Sequence, residues 1–238
     1  VDPQGDGVDA DGSYAAPYNS INAVLTALGQ PVDAADYQRR ILIDVIQSGT
    51  FTENLDVPHR PITIRGMGVV IDGNITRQIS DEKEYGVSSS VCCGCLTLMG
   101  ECDNRDNHNA TRLGIKVTGN YRCMVIPGET GNTSHDTCLM GTTIEGTFTA
   151  DDGTVNGGDP LVGTEVLYLY NSALKGTNVE GRTLYCQRWD NALVGAPTVT
   201  VGTIVMMEDS FFENGDIWSG FNPVTLTVND FTSSPYKE

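Results

Sequence analysis

Basic residues are scarce in this chain. Fourteen Lys and Arg stand against 31 Asp and Glu, a net charge of −17 over 238 residues. Such a surface repels phosphate backbones, so nucleic acid is not expected as a partner. Long apolar runs are missing as well. No stretch approaches the roughly 18 apolar residues that a spanning helix needs, so no membrane span is expected. Histidine occurs three times. None of these lies in a Gly-His-Gly segment, and the sequence holds no nucleophile elbow, so Ser-His-Asp chemistry has no visible seat. His135-Asp136 beside Ser134 reads as a surface loop. The first residue is Val1, so either a leader or initiator has been removed or the true start lies upstream. No signal peptide is expected within these residues.

Glycine, by contrast, is abundant at 27 residues, and apolar residues make up 39%. That composition folds, and it favours many short strands with tight corners. Residues 1–17 are rich in Asp and Gly and read as an irregular arm. Ile21, Val24, Leu25 and Leu28 then fall at i, i+3, i+4 and i+7, one face of a helix. Asn19 or Ser20 serves as its N-cap, and Gly29 with Pro31 ends it. A helix this short is not stable alone, so it must lie on something apolar.

After Arg40 the period changes. Short segments of the form apolar-x-apolar, mostly closed by Gly or Asn, recur to the end. They include Ile41–Ile46, Pro61–Gly66, Val69–Gly73, Leu96–Gly100 and Ile115–Gly119, then Thr143–Gly146, Leu167–Asn171, Val199–Gly202 and Leu226–Asn229. Their spacing is too irregular for hairpins with two-residue turns. A solenoid with roughly 20–30 residues per turn explains it better, because each turn buries its apolar positions against the next. About eight turns are expected. The architecture expected is all-β: a right-handed single-stranded parallel β-helix with a short N-terminal capping α-helix. Residues 1–40 form the arm and capping helix, and residues 41–238 the β-helix. The apolar face Ile21, Val24, Leu25, Leu28 is the expected seal on the exposed end.

The N-terminal third also resembles a known superfamily. Asp11-Gly12-Ser13-Tyr14 and Pro17 to Val24, Ile43-Asp44-Val45, Gly49 to Leu55, Pro61 to Gly66 and Val70 to Asn74 resemble the opening of pectinesterases and related pectin-lyase-like proteins. The resemblance covers residues 1–75 and continues only as strand texture. It implies a right-handed parallel β-helix whose helix caps one end. It is less specific for activity, since this opening serves enzymes, adhesins, tailspikes and virion surface proteins alike. The catalytic segments of pectinesterases, polygalacturonases and pectate lyases do not carry over. Asp216-Ile217-Trp218-Ser219-Gly220 is a chance echo of one of them, and Asp151-Asp152 stands without a Gly-His-Gly.

Several constellations carry chemical meaning beside a plainer reading. Cys93, Cys95 and Cys102 with His108 have the density of a zinc site, but their spacing is tighter than the usual C-x₂₋₄-C. Buried thiols or disulfides that pin a loop, with Cys92 included, are the alternatives. Seven cysteines leave one unpaired within a monomer. Cys123, Cys138 and Cys186 are expected inside the core as small apolar residues. Asp6, Asp9 and Asp11 before Gly12 alternate as calcium ligands do, though the full loop spacing is absent and a solvated arm is favoured. No cofactor is therefore expected, with calcium the cation the arm would take. The acids Asp151 with Asp152, and Glu208-Asp209 with Glu213 and Asp216, are pairs that chance alone supplies in so acidic a chain. Asn74, Asn109 and Asn132 begin glycosylation sequons.

The aromatics gather late. If Leu167 and Leu169 point inward, Tyr168 and Tyr170 point outward. With Trp189 and Trp218 they are the candidate contacts for a glycan or a protein partner. The expected function is a non-enzymatic virion or extracellular surface protein, such as a capsid decoration, cement or spike protein. Its expected partners are further copies of itself in a homotrimer and a capsid or other surface protein. A polysaccharide-active enzyme (esterase, lyase or hydrolase) or a glycan-binding adhesin on the same scaffold are the alternatives.

Overall fold

A computed structural model describes residues 1–2, 9–86, 96–100, 114–130, 136–149, 166–170, 172–174, 178–187, 191–193, 198–206, 212–213 and 225–233. Among the described residues strands are the commonest element, and every strand pairing is parallel. The strands fall into three rows. The first holds β1 (Ile41–Val45), β4 (Ile62–Gly66), β7 (Leu96–Gly100), β10 (Asp136–Met140) and β13 (Val166–Tyr170). The second holds β2 (Gly49–Phe51), β5 (Val69–Ile71), β8 (Ile115–Val117), β11 (Thr142–Ile144), β14 (Ala173–Leu174), β16 (Asn191–Leu193) and β18 (Phe212–Glu213). The third begins with β3 (Leu55–Val57), β6 (Ile75–Ile79), β9 (Tyr121–Val125) and β12 (Phe148–Thr149). The chain visits the rows in that order and returns to the first.

The first and third rows merge at β15 (Asn178–Gln187), whose two halves pair with β12 and β13. β17 (Thr198–Met206) and β19 (Thr225–Ser233) continue that merged sheet. Pairing skips Arg182, Gly202 and Asn229, so a local break in the ladder recurs at the same place in three successive strands.

Burial alternates along the strands, as a half-buried sheet requires. In the first row Ile43, Ile64, Leu98, Leu139 and Leu169 stand in register and face inward. Ile71, Val117, Ile144 and Leu174 do the same in the second row. In the third, Ile75, Tyr121 and Phe148 are aligned, and the last two rings stack at 4.5 Å and 3°. Each such side chain contributes about 1.5–3 kcal/mol by leaving water. Arg77 also faces this interior, and its guanidinium lies 3.4 Å from the Thr137 hydroxyl. That hydroxyl is 2.6 Å from the Tyr121 phenol, whose proton burial holds on by raising its pKa well above the usual value.

The corner between the second and third rows explains the recurring Gly-Asn pairs. Asn54 Oδ1 accepts the amide of Asn74 at 2.9 Å. Asn74 Oδ1 accepts that of Asn120 at 2.8 Å, and Asn120 Oδ1 that of Thr147 at 2.8 Å. The residue before each rung's turn amide is glycine for a steric reason. A Cβ on Gly73 would stand 2.1 Å from the Glu53 carbonyl, and one on Gly119 2.4 Å from the Gly73 carbonyl.

Helix α1 (Ile21–Leu28) packs on β3, with Ile21 and Leu25 inside the core and Val24 and Leu28 partly buried against it. Ser20 is its N-cap, and Gly29 closes it at φ 56°, a value glycine takes freely. Glu53, from the turn between β2 and β3, accepts the Ile21 and Asn22 amides at 2.8 and 3.1 Å and the Ser20 hydroxyl. A carboxylate there also meets the positive end of the helix. Asn22 returns a bond to the edge of the sheet, accepting the Asp56 amide at 3.2 Å. A second helix, α2 (Ala34–Tyr37), is capped by Asp33.

Two substitutions test these contacts. Gly119→Ala forces the corner apart and is expected to destabilise the fold by about 1–3 kcal/mol. Glu53→Ala strips three donors of their acceptor and is expected to cost about 1–3 kcal/mol. Urea midpoints at a fixed slope measure both, and an unchanged midpoint for either refutes the role given to that residue.

Candidate functional site

Two groupings of side chains stand out. The first is the outer face of the first row. Leu98, Leu139 and Leu169 are fully buried, so alternation places Thr97 and Met99, Cys138 and Met140, and Tyr168 on the opposite face, each half-buried. Register lines up Thr63, Thr97, Cys138 and Tyr168 in one column and Arg65, Met99 and Met140 beside it. Tyr170 stands opposite Met140, and Tyr185 opposite Tyr168. At the β1 end, Leu42 is 54% exposed. There Arg65 grips Asp44 through two bonds of 3.1 and 2.8 Å. The Arg65 guanidinium holds the Asp44 carboxyl below its usual pKa. From β7 onward the described side chains of the two columns are uncharged: Thr97, Met99, Cys138, Met140 and Tyr168. The outer positions of the other rows mix charged and uncharged residues, with Asp56, Thr76, Arg122, Gln78 and Met124 on the third and Thr50, Val70, Lys116 and Thr143 on the second. Lys116 is paired with Glu145 at 3.0 Å.

Cys138 corrects an expectation. It was expected in the core but sits on the outer side, because Leu139 takes the inward position of β10. A shift of one residue exchanges the two faces of a strand. Cys123 is buried on β9. Cys186 stands opposite Leu169 in the ladder.

The second grouping fills the corner beneath α2. The loop between β3 and β4 carries His59 and Arg60, both buried. The Tyr37 ring stacks on the His59 imidazole at 5.7 Å and 9°. His59 Nε2 and the Tyr37 hydroxyl lie 3.5 and 3.4 Å from Glu84 Oε1. Gln30 accepts the His59 amide at 3.0 Å and donates to Gln78. Arg60 meets Asp36 at 2.6 Å, and the Tyr85 hydroxyl reaches the Pro31 carbonyl at 2.6 Å. His, Glu and Tyr are residue types that acid–base catalysis uses. Here His59 and Tyr37 are 0% and 1% exposed, and both turn their polar atoms to Glu84. The arrangement fastens α2 and the turn at 82–84 to the sheet. Sequence reading passed over it, although Asp33-Ala34-Ala35-Asp36 has the outline of a helix start.

The other expected site residues divide as follows. Asp11 is exposed, and its carboxylate accepts the Ser13 amide at 2.8 Å. The Ser13 hydroxyl and amide hold that carboxyl below its usual pKa. Asp9 takes a left-handed φ of 53°. Among the described residues, no three His, Cys, Asp or Glu gather as metal ligands would. Asp6, Trp189, Trp218, Cys92, Cys93, Cys95, Cys102, His108, His135, Asp151 and Asp152 lie outside the described residues, as do Asn109, Asn132, Glu208, Asp209 and Asp216. Asn74 is exposed and belongs to the corner ladder. No helix among the described residues is long and apolar enough to cross a membrane. Comparison with protein-family models, with curated proteins and with solved structures finds no match.

The corner beneath α2 predicts a pH dependence. Partial desolvation acts to raise the Asp36 carboxyl, but the Val32 amide and the Arg60 guanidinium outweigh it and leave the pKa below the ordinary 3.8. The unfolded chain then binds this proton more readily than the folded one. The stabilisation is complete above the ordinary carboxylate range and is lost as the pH falls through the lowered value. Asp36→Asn is expected to lower the melting temperature at pH about 7 and to flatten its fall on acidification below about pH 4. Parallel melting curves at all pH values refute this.

Proposed function

We propose that this chain is a non-enzymatic structural protein of a virion or extracellular surface, of the capsid-decoration, cement or spike kind. In this reading the three rows are the sides of a right-handed single-stranded parallel β-helix related to the pectin-lyase-like proteins, with α1 capping one end. Support for the winding comes from the order in which the chain visits the rows and from the strong right-handed preference of parallel crossovers. Support for the cap comes from Ile21 and Leu25 in the core and Glu53 at the helix start.

The observation that carries the structural role is the use made of polar side chains. Asn54, Asn74 and Asn120 join successive layers, Glu53 ties a helix to the sheet, and His59, Arg60, Asp36 and Glu84 lock a corner. These groups are engaged in holding layers together, as a rigid display rod demands. In this reading the uncharged outer columns of the first row meet a neighbouring surface protein.

Stoichiometry tests the proposal. Purified particles or surface layers from the source are expected to contain this chain in a fixed ratio to their main structural protein. The ratio should persist through repeated washing and gradient purification. A variable, washable ratio, or a sharp loss of viscosity when the chain is incubated with uronic-acid polymers, overturns it.

A further inference from the structure

We infer that the outer face of the first row, centred on Met99, Cys138, Met140 and Tyr168, is the contact through which copies of this chain associate. This rests on the structural reading above and names a partner for that face.

The argument begins with charge. A chain of net charge −17 repels its own copies, so close approach is favoured only where charge is missing. Two columns of the outer face from β7 to β13 form such a place: Thr97, Met99, Cys138, Met140 and Tyr168 occupy neighbouring register positions, beside Asp136 at the start of β10. On the other rows charge interrupts the outer columns: Lys116 stands between Val70 and Thr143, and Asp56 and Arg122 stand on either side of Thr76. A basic partner would be drawn to carboxylates, and these columns offer it none. Symmetry adds a second argument. Near a symmetry axis each residue meets its own counterpart, so a charged position would face its like. An uncharged column running across the strands is what an axis along the row requires. Composition agrees, since interface cores are rich in Met and Tyr and poor in charge. Methionine repacks readily against its own kind. At the β1 end of the face, Arg65 and Asp44 neutralise each other.

The full chain tests this by light scattering coupled to size exclusion. The expected mass is two or three times 25.5 kDa. Met140→Glu is expected to return it to a single chain with an unchanged circular dichroism spectrum and a melting temperature that no longer depends on protein concentration. Thr76→Glu, on the outer face of the third row, is expected to leave the oligomer intact. A second variant keeps the test independent of one side chain: Met99→Glu, beside Met140 in the same column, is expected to release single chains as well. A wild-type chain that is monomeric at about 100 µM overturns the inference. So does an oligomer that survives both Met140→Glu and Met99→Glu. A monomer found at fixed ratio on particles would sink this inference alone, whereas an oligomer absent from particles would sink the surface role alone.

Discussion

The structure depends on parallel pairing in register. Among the described strands, none pairs with the next strand in sequence; every ladder joins residues far apart in the chain, as Ile41 with Ile62 and Leu96 with Thr137. No local hairpin supports any layer, so each layer is held by the one before it. Loop-closure entropy must be overcome before any ladder bond forms, which marks such a sheet as slow to assemble. The end strands are then the weakest places. At one end the answer is polar: Glu53 and Asn22 exchange bonds between α1 and β3, and the Ile46 amide donates to the Val1 carbonyl at 2.9 Å.

Much of this was legible in the sequence, for definable reasons. Helix α1 announced itself because Ile21, Val24, Leu25 and Leu28 share one face, and its bounds came from Ser20 and Gly29. Strands such as Leu96–Gly100 and Ile115–Val117 showed because a β-branched or leucine pair flanks one polar residue. Strand β6 did not, because Ile75-Thr76-Arg77-Gln78-Ile79 places an arginine at an inward position. Strand β10 was missed for a similar reason. Its inward residues are Thr137 and Leu139, so Cys138 looked like a core residue while the interior in fact held a hydroxyl. Tyr168 was read as outward from its leucine neighbours, and Leu169 is fully buried beside it. The corner of His59, Arg60, Asp36 and Glu84 draws on four separate segments. Pattern along the chain carries no information about such a meeting.

The three kinds of position differ sharply in the freedom they leave to change. Inward columns are close-packed, and removing a side chain there leaves a cavity. Corners are tighter still, since at Gly73 and Gly119 even a methyl group meets a carbonyl. Outer columns alone accept substitution without disturbing the stack. Outer faces are therefore where specific function can be written onto this scaffold. On the second and third rows, the described outer positions mix charged residues, Asp56, Lys116 and Arg122, with uncharged ones such as Val70, Thr76 and Met124.

On the first row the outer face departs from that pattern without any demand from the fold. The inward leucines Leu98, Leu139 and Leu169 would be equally well placed with Lys or Glu between them, since a solvated sheet face ordinarily carries polar residues. Half-buried Met and Tyr in a row carry a standing cost in solubility. The strong negative charge elsewhere offsets that cost and also discourages every approach except one that matches these columns. Apolar chemistry on one side and repulsion on the others act together. The first supplies adhesion, the second restricts its geometry, and a lateral contact along the row satisfies both at once.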